Sequence, residues 1–121
     1  MTDLEFTINL SSPKDQLMNI ITDYEKYVTY LPDQLKNVKI IERNENVTIT
    51  EESIIFSNYI KKPFLQKTKH ILKNSYTHES ILISGPAEGS SITVDLKNNN
   101  EDGTQVDIKI KLKLSWKAIF L

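Results

Sequence analysis

Two histidines, His70 and His78, are the side chains of this sequence best suited to proton transfer near neutral pH. They fall on what read as neighbouring strands, at a spacing that matches no metal motif. His70 has the parity of Thr68 and Leu72, which points it inward, either as a polar handle in a pocket or as a hydrogen-bonded filler, the commoner role. His78 lies beside a turn and is expected to be exposed. Asp23, Glu25 and Asp33 gather around a helix pair, and Glu51 and Glu52 are adjacent. Paired carboxylates can do acid–base work, but near helix ends and turns capping and solvation account for them more simply. The chain has no cysteine, which excludes disulfides, zinc thiolates and thiol nucleophiles. No serine has a nucleophile-elbow context, and three glycines form no phosphate loop. These residues define no catalytic set, no metal site and no cofactor site.

The elements that must position them are mostly strands. Leu4, Phe6, Ile8 and Leu10 alternate with Glu5, Thr7 and Asn9, the pattern of a half-buried strand. Ser12-Pro13-Lys14-Asp15 is a helix start, with Ser12 as cap, Pro13 in the first helical position and Asp15 as the capping-box acid. Leu17, Ile20, Ile21 and Tyr24 then form one helical stripe. A second short helix carries Tyr27, Val28, Tyr30 and Leu31 and ends at Pro32. From Leu35 the period becomes two. Strands are predicted from Leu35 to about Arg43, Val47–Phe56, Gln66–Lys73, Thr77–Ser84, Ser90–Asn98 and Thr104–Trp116, with an irregular loop at 57–65. The last alternates Val106, Ile108, Ile110, Leu112, Leu114 and Trp116 against Asp107, Lys109, Lys111 and Lys113. At ~3.3 Å per residue it would run ~40 Å, so it must twist around something. Short turns and strict alternation imply an antiparallel meander with one wet and one dry face.

With 121 residues, 39% of them hydrophobic and 26% charged, the chain has the size and composition of one globular domain, residues 1–121. A net charge of −1 gives no electrostatic reason to bind nucleic acid. The Lys109, Lys111, Lys113 ladder lacks interleaved aromatics and reads as a solvated outer face. The opening residues do not resemble a secretory signal, and no run approaches the ~20 apolar residues of a membrane-spanning helix. A cytoplasmic location is expected.

Residues 6–43 carry a resemblance. A strand leads into Ser-Pro-Lys-Asp, then Ile-Ile-Thr-Asp-Tyr-Glu-Lys-Tyr at 20–27, Tyr-Leu-Pro at 30–32 and Val-Lys-Ile-Ile-Glu-Arg at 38–43. Ser-Gly-Pro at 84–86 and the turn at Asp102-Gly103-Thr104 follow. This order is similar to that of the START-like, or helix-grip, superfamily, which includes polyketide cyclase-like and coenzyme Q-binding-like proteins. The resemblance implies an α+β fold: a strand, two short helices and a six-stranded antiparallel meander forming a curved sheet. Relatives add a long C-terminal helix that lids the cavity. Here Trp116–Leu121 could only begin it, so the helix is expected to be absent or truncated, with a second copy or a partner covering the open sheet face.

The resemblance also implies a small apolar ligand, such as a lipid, isoprenoid quinone or polycyclic aromatic, held in the concavity of the sheet. The candidate lining comprises Ile81, Ile83, Ile92, Val94, Ile108, Ile110 and Leu112. His70, Tyr59 and Thr68 would set the ligand's orientation. Phe56, Tyr59 and Phe64 lie in the irregular segment as a flap over the mouth or as a cluster pinning the loop. Lys61 and Lys62 would form its rim and permit transient membrane contact. The alternatives are a cyclase or aromatase-like enzyme using the same cavity, with His70 as its acid–base group, and a protein-interaction module acting through the uncapped sheet face.

Overall fold

The computed structural model describes residues 2–55 and 63–114. Seven strands form one antiparallel sheet: β1 (Thr2–Leu10), β2 (Leu35–Arg43), β3 (Val47–Ile55), β4 (Pro63–Asn74), β5 (Thr77–Ser84), β6 (Ser91–Asn98) and β7 (Thr104–Leu112). Their order is β1-β7-β6-β5-β4-β3-β2, so strands two to seven are a meander and β1 closes on β7. Between β1 and β2 lie α1 (Lys14–Ile21), a single 3₁₀ turn at Tyr24–Lys26 and the short α2 (Tyr27–Tyr30). This is the expected α+β arrangement, a curved sheet gripping short helices.

Three local expectations differ. Pro13 is the N-cap of α1, not its first helical residue, and no side chain caps that end. Asp15 instead accepts a hydrogen bond from the Tyr76 hydroxyl at 2.9 Å, while the Lys14 ammonium sits 3.8 Å above the Tyr76 ring. Tyr76, in the β4–β5 turn, thereby clasps the start of the helix. The fourth strand begins at Pro63 rather than Gln66, because Phe64 and Leu65 pair with Ile54 and Ser53 of β3. The last strand ends at Leu112; Trp116 and the C-terminal segment after it lie outside the described residues.

Register assigns the faces. Ile8↔Val106↔Leu96 and Phe6↔Ile108↔Val94↔His78↔Leu72 are cross-strand rows on one face. The helices lie against it. Met18 of α1 packs with Leu96 and Val106 in one buried cluster, joined by Leu17, Ile21, Leu72, Tyr76, Val94 and Ile108. Tyr24, Leu35 and Val38 form a second, with Tyr27, Val28 and Ile54 around them. Two shifts of register between β2 and β3, and two between β4 and β5, are the irregularities that let a pleated sheet bend. The turn before β7 is equally constrained. A Cβ on Gly103 would collide with the Leu10 carbonyl oxygen, so this position admits only glycine without moving β1.

Candidate functional site on the inner face

The inner face changes character halfway across the sheet. One continuous row runs Leu4↔Ile110↔Ile92↔Ser80↔His70↔Thr48, from edge strand β1 to β3. Its first half is apolar and open: Leu4 is 52% exposed and Ile92 38%. Phe6, Ile8, Leu10 and Leu112 are similarly uncovered. Its second half is polar and closed, with His70, Thr48, Thr50, Thr68, Glu52 and His78 all buried.

Tyr24 closes the polar half. It stands just beyond α1, where the chain turns through 3₁₀ geometry, and this turn lays its ring flat on His70, centroids 4.0 Å apart. Its hydroxyl shares a 2.8 Å hydrogen bond with Nε2 of His78. His70 in turn uses both ring nitrogens, Nε2 with Thr50 Oγ1 at 3.0 Å and Nδ1 with Ser80 Oγ at 2.7 Å. A neutral imidazole donates from one nitrogen and accepts at the other, and a hydroxyl can serve either role. Burial drives both histidines toward that neutral form, His70 down to about 3, helped by neighbouring His78, and His78 to about 4. Burial likewise pushes the Tyr24 phenol up to about 12. Tyr27, whose hydroxyl donates to the Ile21 carbonyl, is raised further, by burial first and then by Tyr24, Asp23 and Glu52.

Glu52 lies on the same face, beside Gln66 on β4 and Val38 on β2. Thr68 Oγ1 donates to its Oε1 at 2.5 Å. Its Oε2 is buried and has no hydrogen-bond partner among the described residues. Burial raises the carboxyl above the ordinary range, against the lowering effect of Thr68, Thr50 and Gln66. No lysine or arginine pairs with it among the described residues.

The predicted lining residues therefore separate into groups. Ile92, Ile110 and Leu112 lie along the open apolar half. Val94 and Ile108 share that face, but their side chains are taken up by the core beneath α1. Ile81 does not join them: it pairs with Lys69 and Ser91 and so points to the opposite face. Ile83 is the extra residue at the register shift between Leu82 and Ser84, and is 40% exposed. Phe64 is half-buried opposite Ile54. Phe56, Tyr59, Lys61 and Lys62 lie outside the described residues. His78, expected at the surface, is 2% exposed, because Tyr24, 54 positions away, folds over it. Glu52 was not distinguished in sequence from solvated Glu51; its even-numbered parity with Thr48 and Thr50 was the available signal.

Along β1, β7 and β6 this face is open among the described residues, with Leu4, Ile92 and Leu112 exposed. A cleft of about 240 Å³ adjoins its polar end, lined by Thr22, Tyr24, Arg43, Asn44, Thr48 and Leu72 among others. Among the described residues there is no cluster of three or more His, Asp or Glu side chains able to hold a metal ion, and no helix long and apolar enough to cross a membrane.

No protein-family model and no curated protein matches the sequence. Solved structures do match the fold. The Zhui aromatase/cyclase from Streptomyces sp. R1128 superposes with a TM-score of 0.80 at 13% identity, over 94% of this chain and 68% of its own. A protein from Thermus thermophilus gives 0.78 at 13%, over 94% and 75%. A START superfamily protein from Mycobacterium smegmatis gives 0.76 at 12%, over 93% and 77%. With strand order, helix placement and these superpositions in agreement, the chain has the START-like helix-grip fold.

Proposed function

We propose that this protein binds a small hydrophobic ligand on the inner face of the sheet. The observation that carries the reading is the row from Leu4 to Thr48. A ligand laid along Ile110 and Ile92 would gain burial of apolar surface at ~25 cal/mol per Å². The polar half, already hydrogen-bonded internally, would give it an end stop and a direction. Structures of the same fold include proteins titled as aromatase/cyclases and as a START superfamily protein, which supports a fold suited to such ligands. Lipids, isoprenoid quinones and polycyclic aromatics are the ligand classes compatible with this surface.

The test is uptake of an environment-sensitive apolar dye such as Nile red by the purified protein, alongside mass spectrometry of its organic extract. Saturable uptake that weakens at least tenfold in Ile92→Glu and Ile110→Glu supports the reading. No uptake, together with an extract free of apolar small molecules, overturns it.

A cyclase-like activity using His70 as acid or base has less support. Both ring nitrogens are committed to Thr50 and Ser80, and Tyr24 covers one ring face. His70 serves better as a link between sheet and helix than as a group reaching for substrate.

A further inference from the structure

Among the described residues, Glu52 has bonding that is incomplete in a way that a ligand could complete. It is 7% exposed on β3, two residues from Thr50, whose hydroxyl bonds His70. Thr68 occupies Oε1, and Oε2 has no partner. Ionised, this would be a buried anion with no cation beside it among the described residues, which is expensive. Protonated, the group resolves into two halves. Oε1 accepts from Thr68, and Oε2 carries the proton with no acceptor at hydrogen-bond distance among the described residues, although Thr50 and Gln66 lie near the carboxyl. A buried donor without an acceptor costs about 1–3 kcal/mol, and native proteins leave few such groups.

We infer that Glu52 is the polar anchor of the ligand site, donating from Oε2–H to the carbonyl oxygen of an apolar ketone or quinone. This rests on the proposed hydrophobic-ligand reading and narrows it to a chemical class. An ammonium ligand fits less well, because it has donors only and cannot accept the Oε2 proton. The location agrees. Leu82 and Phe64 share the inner face with Gln66, the cross-strand neighbour of Glu52. The apolar floor thus reaches to within two strand spacings, ~10 Å, of the carboxyl. An elongated ring system lying on Ile92 and Leu82 would bring a terminal oxygen to Glu52.

The experiment uses two probes that share the pyrene ring, 1-ethylpyrene and 1-acetylpyrene, which differ in a methylene against a carbonyl. Wild-type protein is expected to bind 1-acetylpyrene about tenfold more tightly than 1-ethylpyrene. The carbonyl stretch of the bound ketone should lie at lower frequency than in alkane solvent. Glu52→Leu should abolish the preference, bringing the ratio of the two affinities to about one. Glu52→Gln, which keeps an N–H donor, should retain part of it. Equal affinity of wild type for the two probes, or a ketone preference that survives in Glu52→Leu, overturns the inference and leaves hydrophobic binding intact. Failure of both probes to bind overturns the hydrophobic reading and this inference together. If Glu52→Leu does not fold, an unshifted carbonyl band in the wild-type complex is the overturning result.

Discussion

The hydroxyl of Tyr24 meets Nε2 of His78 at 2.8 Å while the Tyr24 ring stacks on His70. One side chain from a single 3₁₀ turn therefore holds two strands of the sheet. Removing only its hydroxyl leaves a nitrogen of a 2%-exposed histidine without a partner. Tyr24→Phe is expected to lose about 1–3 kcal/mol of unfolding free energy. Tyr24→Ala should lose more, about 3–5 kcal/mol, because the stack goes as well. Urea denaturation of the two variants measures the difference, and equal losses would show that the ring stack contributes nothing beyond the hydroxyl.

Stability should fall in acid, and the sign follows from the histidines. Folded His70 and His78 bind protons only near pH 3 and 4, whereas in the unfolded chain they do so near ~6.5. Between those values the unfolded state holds more protons, so stability rises with pH by up to ~1.4 kcal/mol per pH unit for each histidine. Their contribution is complete above ~6.5 and is lost as pH falls toward 4 and 3. Glu52 works in the opposite sense. Its raised folded value favours the native state below the unfolded pKa, and that contribution is lost as pH rises through the folded one. Glu52→Gln is thus expected to gain on wild type as pH increases. Denaturant melts at a series of pH values check both slopes.

How far the sequence exposed this arrangement depends on the kind of contact. The meander, the short helices and the face of Ile92, Val94, Ile108 and Ile110 were legible because each is a local alternation. Ile81 misled because the rule that apolar means inward fails on β5. There the inner positions are His78 and Ser80, and Ile81 sits outside with Lys69 and Glu79. A polar residue can occupy an inner position only if something satisfies it. For His78 that partner is Tyr24, placed there by the fold and by no feature of neighbouring sequence. Glu52 was hidden for the same reason, since Glu51 beside it has identical chemistry and the opposite orientation.

The two halves of the inner face should respond very differently to truncation. Leu96 is 4% exposed in the cluster with Met18 and Val106, so Leu96→Ala is expected to cost about 2–5 kcal/mol. Leu4, 52% exposed on the same face, should tolerate Ala with less than about 0.5 kcal/mol of change. A large loss at Leu4 in thermal or chemical melts would mean that another surface covers β1 in solution.

Gly103 offers a steric test of the β1–β7 closure. Since a Cβ there would overlap the Leu10 carbonyl, Gly103→Ala must shift backbone and is expected to lose about 1–3 kcal/mol. At Gly89, which has a positive φ, an added Cβ meets only the Lys113 side chain. The loss in Gly89→Ala therefore reports backbone strain and a small shift of the Lys113 side chain, and amide exchange along β1 should accelerate in Gly103→Ala but not in Gly89→Ala.

The pairing of β1 with β7 also orders events in time. Thr7 and Asp107, hydrogen-bonded across that pair, are 100 positions apart, and among the described residues β1 pairs with no strand but β7. Of the seven strands, the first to leave the ribosome is thus the last to find its neighbour. Until β7 emerges, Leu4, Phe6, Ile8 and Leu10 ride on a strand with both edges open, the state most prone to pairing with the wrong chain. Closing so long a loop adds only logarithmically to the entropic cost, but it delays the moment when contacts offset any of that cost. The nascent chain therefore cannot secure β1 before β7 is made, and chaperone dependence is expected to concentrate in that interval.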